Sequence, residues 1–431
     1  MKKILRDNKG SISALVVISV LLYSIVLTTA YLQASGMRKM QIQSQILAKA
    51  EYEKQLDNLD EIRDEINGGA GGSGAGTKVP AEATAETAPY FPDNTFTKKE
   101  GTIDTGLVIK DASGNEYVWV VVPRTTAVYK KTGLGKTTFT DTDYTNIETD
   151  LKNYTSTYVT RSGYSDAYYA EDKNVGWFAD ATAYNNLKNS MLKSVYENGG
   201  FYVGRYEAGI GTNRNSPGPT NSDGKYTIEE MPTPVSKVDA YPYTYVTRTQ
   251  AQNLASKVNS GTKTSSLMFG VQWDLVLAFM SKDTAKITST EDLTQNSTTI
   301  GNYLNSTFDL SRGKYAQYDQ LKNPWKNFNS ALDSIVVSNE TTEKMKKTEQ
   351  SSYKNGILLT TGGTEQSKVM NIYDIAGNVI EWTLEKNSYI RNPCALRGGS
   401  YVNTGSGLPA ADRAYSSTDS DSGIGFRVSL F

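Results

Sequence analysis

The chain has no histidine and one cysteine, Cys394, in 431 residues. Without imidazole there is no Ser-His-Asp triad, no Cys-His dyad and no histidine-ligated zinc or haem. A single thiol cannot form an internal disulfide, which suits an extracytoplasmic protein of a bacterium that does not rely on disulfides. Neither sign of charge dominates, with Lys plus Arg at 45 and Asp plus Glu at 46, so no nucleic-acid partner is expected. No two carboxylates form a pair that sequence alone would identify as general acid and base. Trp-rich repeats and basic patches are missing too, which leaves carbohydrate, protein and peptide ligands all open.

Tyrosine is abundant, at 28 against 11 Phe. It supplies contact area with a polar tip, as on binding surfaces, and it equally suits the strands of a secreted β-rich domain. The length allows two or three structural units and one large core.

At the start, Lys2, Lys3, Arg6 and Lys9 precede an uncharged run from Ser11 to Met37. About twenty apolar residues at about 1.5 Å each span a bilayer core of about 30 Å. The basic end stays cytoplasmic, so residues 1–37 read as a basic head and transmembrane helix with an extracellular remainder. A cleaved signal peptide is the alternative, although no small-x-small cleavage site follows. Residues 38–67 carry Ile42, Ile46, Leu56, Leu59, Ile62 and Ile66 at helical spacing among charges. They read as an amphipathic stalk that is able to self-associate. Residues 68–90, rich in Gly, Ala and Pro, read as a flexible linker. The domain proper is then 91–431.

Within it, Thr105–Lys110 and Glu116–Val122 around Ser113-Gly-Asn115 read as a β-hairpin closed by Pro123. Residues 125–175 read as an insertion. Helices are expected at Ala181–Tyr196, at Thr247–Val258 with Thr249 as N-cap, and at Gly270–Met280. Residues 282–368 are polar and weakly patterned and read as loops with short elements.

The last sixty residues hold three ordered signals: Asn371-Ile-Tyr-Asp-Ile-Ala-Gly-Asn-Val-Ile-Glu-Trp382, Arg397-Gly-Gly-Ser-Tyr401 and Gly423-Ile-Gly-Phe-Arg-Val428. Gly377-Asn378 is a turn dipeptide tolerant of left-handed backbone. Glu381 and Trp382 point to opposite sides of an extended chain, Gly398-Gly399 permits close backbone approach, and Phe426 and Val428 alternate with Arg427.

With Gly199-Gly-Phe-Tyr-Val-Gly-Arg-Tyr-Glu-Ala208 and Gly270-Val-Gln-Trp-Asp274 upstream, residues 100–431 resemble the formylglycine-generating enzyme family. The resemblance implies an α+β, C-type lectin-like fold with irregular loops behind the long N-terminal helix. That family works through two cysteines just after the Gly-Gly-Ser strand. Here Ser400–Pro409 has none, so formylglycine-generating activity is not expected. The resemblance also implies structural Ca²⁺ at the Gly-Asn turn, held by the carbonyls of Ala376, Gly377 and Val379 and by the Glu381 side chain, with Asn378 assisting. The alternative is that Asn378 and Glu381 bond neighbouring loop backbone. The N-terminal plan, with Lys9-Gly10, resembles type IV pilins, although Leu15 stands where that family has an acidic residue.

Between Ser400 and Ile424 there is no Lys, Glu, Gln, Met or Trp. Every residue type present is encoded by codons with a fixed pyrimidine third base. This is similar to the variable loop of lectin-fold proteins diversified by retroelements, and an ordinary polar loop is the simpler reading. Either way the stretch reads as a surface loop offering Tyr401, Asn403, Asp412, Arg413, Tyr415, Asp419 and Asp421 to an extracellular protein or glycan. The expected function is a non-catalytic, membrane-anchored binding or adhesion protein. The alternatives are a pilin-like filament subunit and an enzyme of unrecognised chemistry.

Overall fold

A computed structural model describes residues 89–170, 178–214, 231–310, 312–317 and 356–431, with the backbone of short strands at 329–330, 337–338, 341–342 and 346–347. The expected transmembrane helix, stalk and pilin-like start lie outside these residues, as does all but the end of the linker. No described helix is long and apolar enough to cross a membrane.

Two sheets carry the domain, and the chain is α+β. In the first, the strand order is Thr97–Glu100, Val108–Lys110, Glu116–Val121, Gly200–Gly204, Val428–Leu430 and Ser265–Leu267, with every pair antiparallel. The expected hairpin is its second and third strands, registered Val108↔Val118 and Lys110↔Glu116. In the second sheet the order is Arg413–Ser416, Cys394–Arg397, Ile380–Asn387 and Ile424–Phe426, the last running parallel to its neighbour. The final apolar run thus feeds both sheets, changing over at Arg427. Trp119, Trp273, Trp382 and Phe426 are all fully buried in one continuous core. The Trp382 indole donates to the Val246 carbonyl at 2.8 Å, so its polar edge is satisfied.

The helices follow local chemistry. Ala181–Asn198 starts at Asp180, whose side chain accepts from Ala183 N–H, and stops at Gly199 with φ 70°. Gly270–Met280 spans the expected residues and is buried along almost its whole length, which suits its unbroken apolar run. Arg248–Ser256 is capped by Thr247 and not by Thr249. Thr247 and Gln250 exchange side-chain bonds with each other's backbone, at 3.0 and 3.2 Å. Gln252, which a Thr249 box requires, instead accepts from Ser266 Oγ and Leu267 N–H.

Asp141–Tyr154, inside the expected insertion, is a helix the sequence reading left out. Its capping box uses Thr140 with Asp143, and Asp serves in place of the usual Glu or Gln. The insertion continues through a short 3-10 turn, Ser156–Tyr158, and then pairs Tyr164–Ser165 with Lys386 and Asn387 of the second sheet. Asp166 next accepts from the N–H groups of Gly270 and Val271, at 2.6 and 3.0 Å. It therefore caps a helix about a hundred residues away in sequence.

Candidate functional site

The three C-terminal signals converge. Gly377 and Asn378 are left-handed, with φ 73° and 59°. Gly377 N–H donates to the Gly398 carbonyl at 2.8 Å. Gly398, φ 90°, lies so close to the Ile375 carbonyl that a Cβ there would come within 2.6 Å. Glu381 is buried and faces Arg427, whose Nη2 donates to it at 2.8 Å. The same guanidinium donates to the carbonyls of Gly204 and Tyr373, at 2.9 and 2.8 Å.

Of the expected calcium ligands, the Asn378 and Glu381 side chains have protein partners and the Ala376 carbonyl is covered. Asn378 Oδ1 accepts from Asn302 Nδ2 and Leu359 N–H, and its Nδ2 donates to Glu207 at 2.7 Å. Val379 N–H donates to the other oxygen of Glu207. The Ala376 carbonyl is covered by Gly301, where a Cβ would lie 2.2 Å away. The Glu381 carboxylate is already paired with the Arg427 guanidinium. Among the described residues, no three acidic or cysteine side chains group to hold a metal ion.

The Arg427 guanidinium pairs with Glu381, and its charge also acts on the buried Glu207 and Asp374. Burial pushes the Glu381 carboxyl from 4.5 up to about 7, against the pull of Arg427. Burial, then the charges of Asp374 and Glu381, hold Glu207 well above the usual carboxylate range. Asp374 is raised by burial against its bonds from Ser367 and Gly362. The folded state therefore keeps protons that the unfolded chain has released. The stability from these raised carboxyls is fully present below the unfolded pKa and is lost as pH rises through the folded one. We expect the urea midpoint to fall as pH rises from about 5 to about 7. A midpoint that rises over that range contradicts this reading.

The 400–424 stretch is only partly a surface loop. Tyr401 is buried with Ala316, Leu358 and Val379. Asn403 is half-buried, and its side chain accepts from Ser400 N–H and Oγ. Asp412 and Arg413 are buried, Asp412 accepting from Arg161 Nε at 2.8 Å. Arg413 completes a closed ring of charges. Asp274 accepts from Arg397 at 2.7 Å and from Arg413 at 2.5 Å, while Glu385 accepts from Arg413 at 3.0 Å and from Arg397 at 3.5 Å. The Gly270–Met280 helix and three strands of the second sheet meet at this ring. Of the expected ligand residues, Tyr415, Asp419 and Asp421 are exposed. Asp421 lies apart from Tyr415, where its carbonyl accepts from Tyr245 N–H.

The surface holds a cluster the sequence reading missed. Large apolar side chains open to solvent include Ile390 at 83%, Tyr415 at 53%, Tyr389 at 52% and Val159 at 48%. The segments bearing them are bonded to one another. Ser388 N–H donates to the Gly163 carbonyl at 2.8 Å, Tyr164 Oη to the Arg413 carbonyl at 2.7 Å, and Thr160 Oγ1 to the Ala411 carbonyl at 3.1 Å. The Tyr389 and Tyr415 rings meet edge to face, with centroids 6.0 Å apart. A Tyr-Ile pair inside the turn Asn387–Pro393 was the available signal, since turns ordinarily carry polar residues.

No protein-family model matches this chain, and no curated protein does. Among solved structures it is similar to Treponema denticola variable protein 1, at 15% identity, over 53% of this chain and 95% of that one. The TM-score of 0.13 gives that likeness no weight for fold or function.

Proposed function

We propose that this chain is a non-catalytic, membrane-anchored extracellular binding or adhesion protein whose domain has the C-type lectin-like frame of the formylglycine-generating type. The lectin-like frame is supported by the meeting of its three motifs, through Gly377 with Gly398 and Glu381 with Arg427. The anchor rests on the uncharged run 11–37. The observation that carries the binding role is the exposed Tyr389–Tyr415 ring pair with Ile390 next in the chain, on segments bonded to the one that exposes Val159. Grouped apolar side chains left in water mark interaction sites, and tyrosine is favoured at their energetic centres. Tyr415, Asp419 and Asp421, the expected ligand residues of the 400–424 stretch that are exposed, are where a diversified sequence would reach a partner.

The test compares the full chain with a Tyr389→Ser/Tyr415→Ser variant on glycan and extracellular-protein arrays. Removing both rings is expected to weaken any retained partner more than about tenfold, the loss of a hot spot. Stability should change by less than about 1 kcal/mol, because both side chains are exposed. Undiminished binding by the double variant sinks the proposal.

A further inference from the structure

We propose that this face takes an acidic polypeptide segment in extended conformation, laid along the open edge of the strand Arg413–Ser416. The inference rests on the binding-face reading above and names the partner's chemistry.

The strand is the last of its sheet. Among the described strands it pairs only with Cys394–Arg397; the 156–164 segment bonds its first residue, through Tyr164 Oη to the Arg413 carbonyl, and Ala414–Ser416 have no described strand on their outer side. Such an edge is a template for another chain, whose main-chain groups supply affinity while alternate side chains supply selectivity. Residues two apart in an extended segment fall on the same side, about 6.6 Å apart, so every second side chain is able to meet the Tyr389, Ile390 and Tyr415 cluster.

Charge chooses among polypeptides. The segments 156–164, 386–392 and 413–417 contain no Asp or Glu. Their charged residues are Arg161, Lys386, Arg391 and Arg413, and only Arg413 is buried. Arg161 is held in place through its Nε by Asp412 while 43% of its side chain stays exposed. The adjoining carboxylates are buried and engaged, Asp412 with Arg161, Glu385 with Arg413 and Asp166 with the N–H groups of Gly270 and Val271, and the exposed Asp419 accepts from Ser417 Oγ. Apolar side chains interleaved with exposed cations complement a partner that is apolar and anionic. A neutral glycan is a poorer match. Asp412 and Arg413, side chains able to bracket sugar hydroxyls, are spent inside the fold on Arg161, Asp274 and Glu385.

The experiment selects a displayed library of random peptides, about twelve residues long, on the purified full chain and in parallel on an Ile390→Glu variant. The expected result is enrichment, on the parent alone, of net-negative peptides with apolar residues at alternate positions. Their affinity should fall about tenfold on Arg391→Glu, hold on Arg391→Lys, and weaken with added salt. Enrichment of neutral or basic peptides, equal retention on Ile390→Glu, or tighter binding of heparin than of any peptide overturns the inference. If no acidic peptide is enriched while the Tyr389→Ser/Tyr415→Ser variant loses a glycan or folded-protein partner, the peptide assignment falls and the binding face stands. If that variant loses nothing, both fall.

Discussion

Replacing Arg427 with Ala is expected to remove about 3–5 kcal/mol of stability, enough to unfold a marginal domain. The guanidinium is fully buried at the point where the chain passes from one sheet to the other. Its Nε and Nη2 hold Glu381, and its remaining bonds go to the carbonyls of Gly204 and Tyr373. Removing it leaves the buried Glu381 carboxyl and two carbonyls without this partner at once. Arg427→Met with Glu381→Leu should recover only part of the loss, because apolar substitution removes the unpartnered carboxyl but not the two carbonyls that lose the guanidinium. Urea unfolding of the two single variants and the double variant gives the coupling, expected above about 1 kcal/mol. A loss under about 1 kcal/mol for Arg427→Ala, typical of an exposed pair, would falsify the central role of this residue.

The second large effect is Asp274→Ala, with a loss also near 3–5 kcal/mol. Asp274 accepts from both Arg397 and Arg413, and without it two buried guanidinium groups share Glu385 alone. Arg413 lies on the edge strand of the proposed binding face, so binding should fall with stability. Arg161→Ala is the control. It breaks a single pair whose arginine is 43% exposed and should cost less than Asp274→Ala. Thermal unfolding of both variants separates the cases. Equal losses would mean that burial of the ring adds nothing.

Both residues show how far local pattern carries. The Gly-Phe-Arg motif was legible as a terminal strand with Arg427 alternating against Phe426 and Val428. Its division between two sheets was not, because strand pairing depends on partners two hundred residues away at Gly200–Gly204 and Ser265–Leu267. Glu381 was legible as a polar residue set against Trp382. That its partner is a guanidinium depends on Arg427 folding back beside it. Asp412 and Arg413 looked like surface residues because charge usually means exposure. Opposite charges from three other segments made their burial affordable.

What the sequence by itself determined is therefore local: the hairpin at 108–121, the helices at 181–198 and 270–280, the left-handed Gly377-Asn378 turn and the close approach at Gly398. Periodicity, capping and glycine's lack of a Cβ act over a few residues and can be read there. The tertiary structure alone decided which charges are neutralised by burial in pairs and which apolar side chains stay in water. Val159 and Tyr389 are separated by more than two hundred residues. Their segments are joined because Tyr164–Ser165 pairs with Lys386 and Asn387. Exposure is a property of what fails to pack, and no local window of sequence records it.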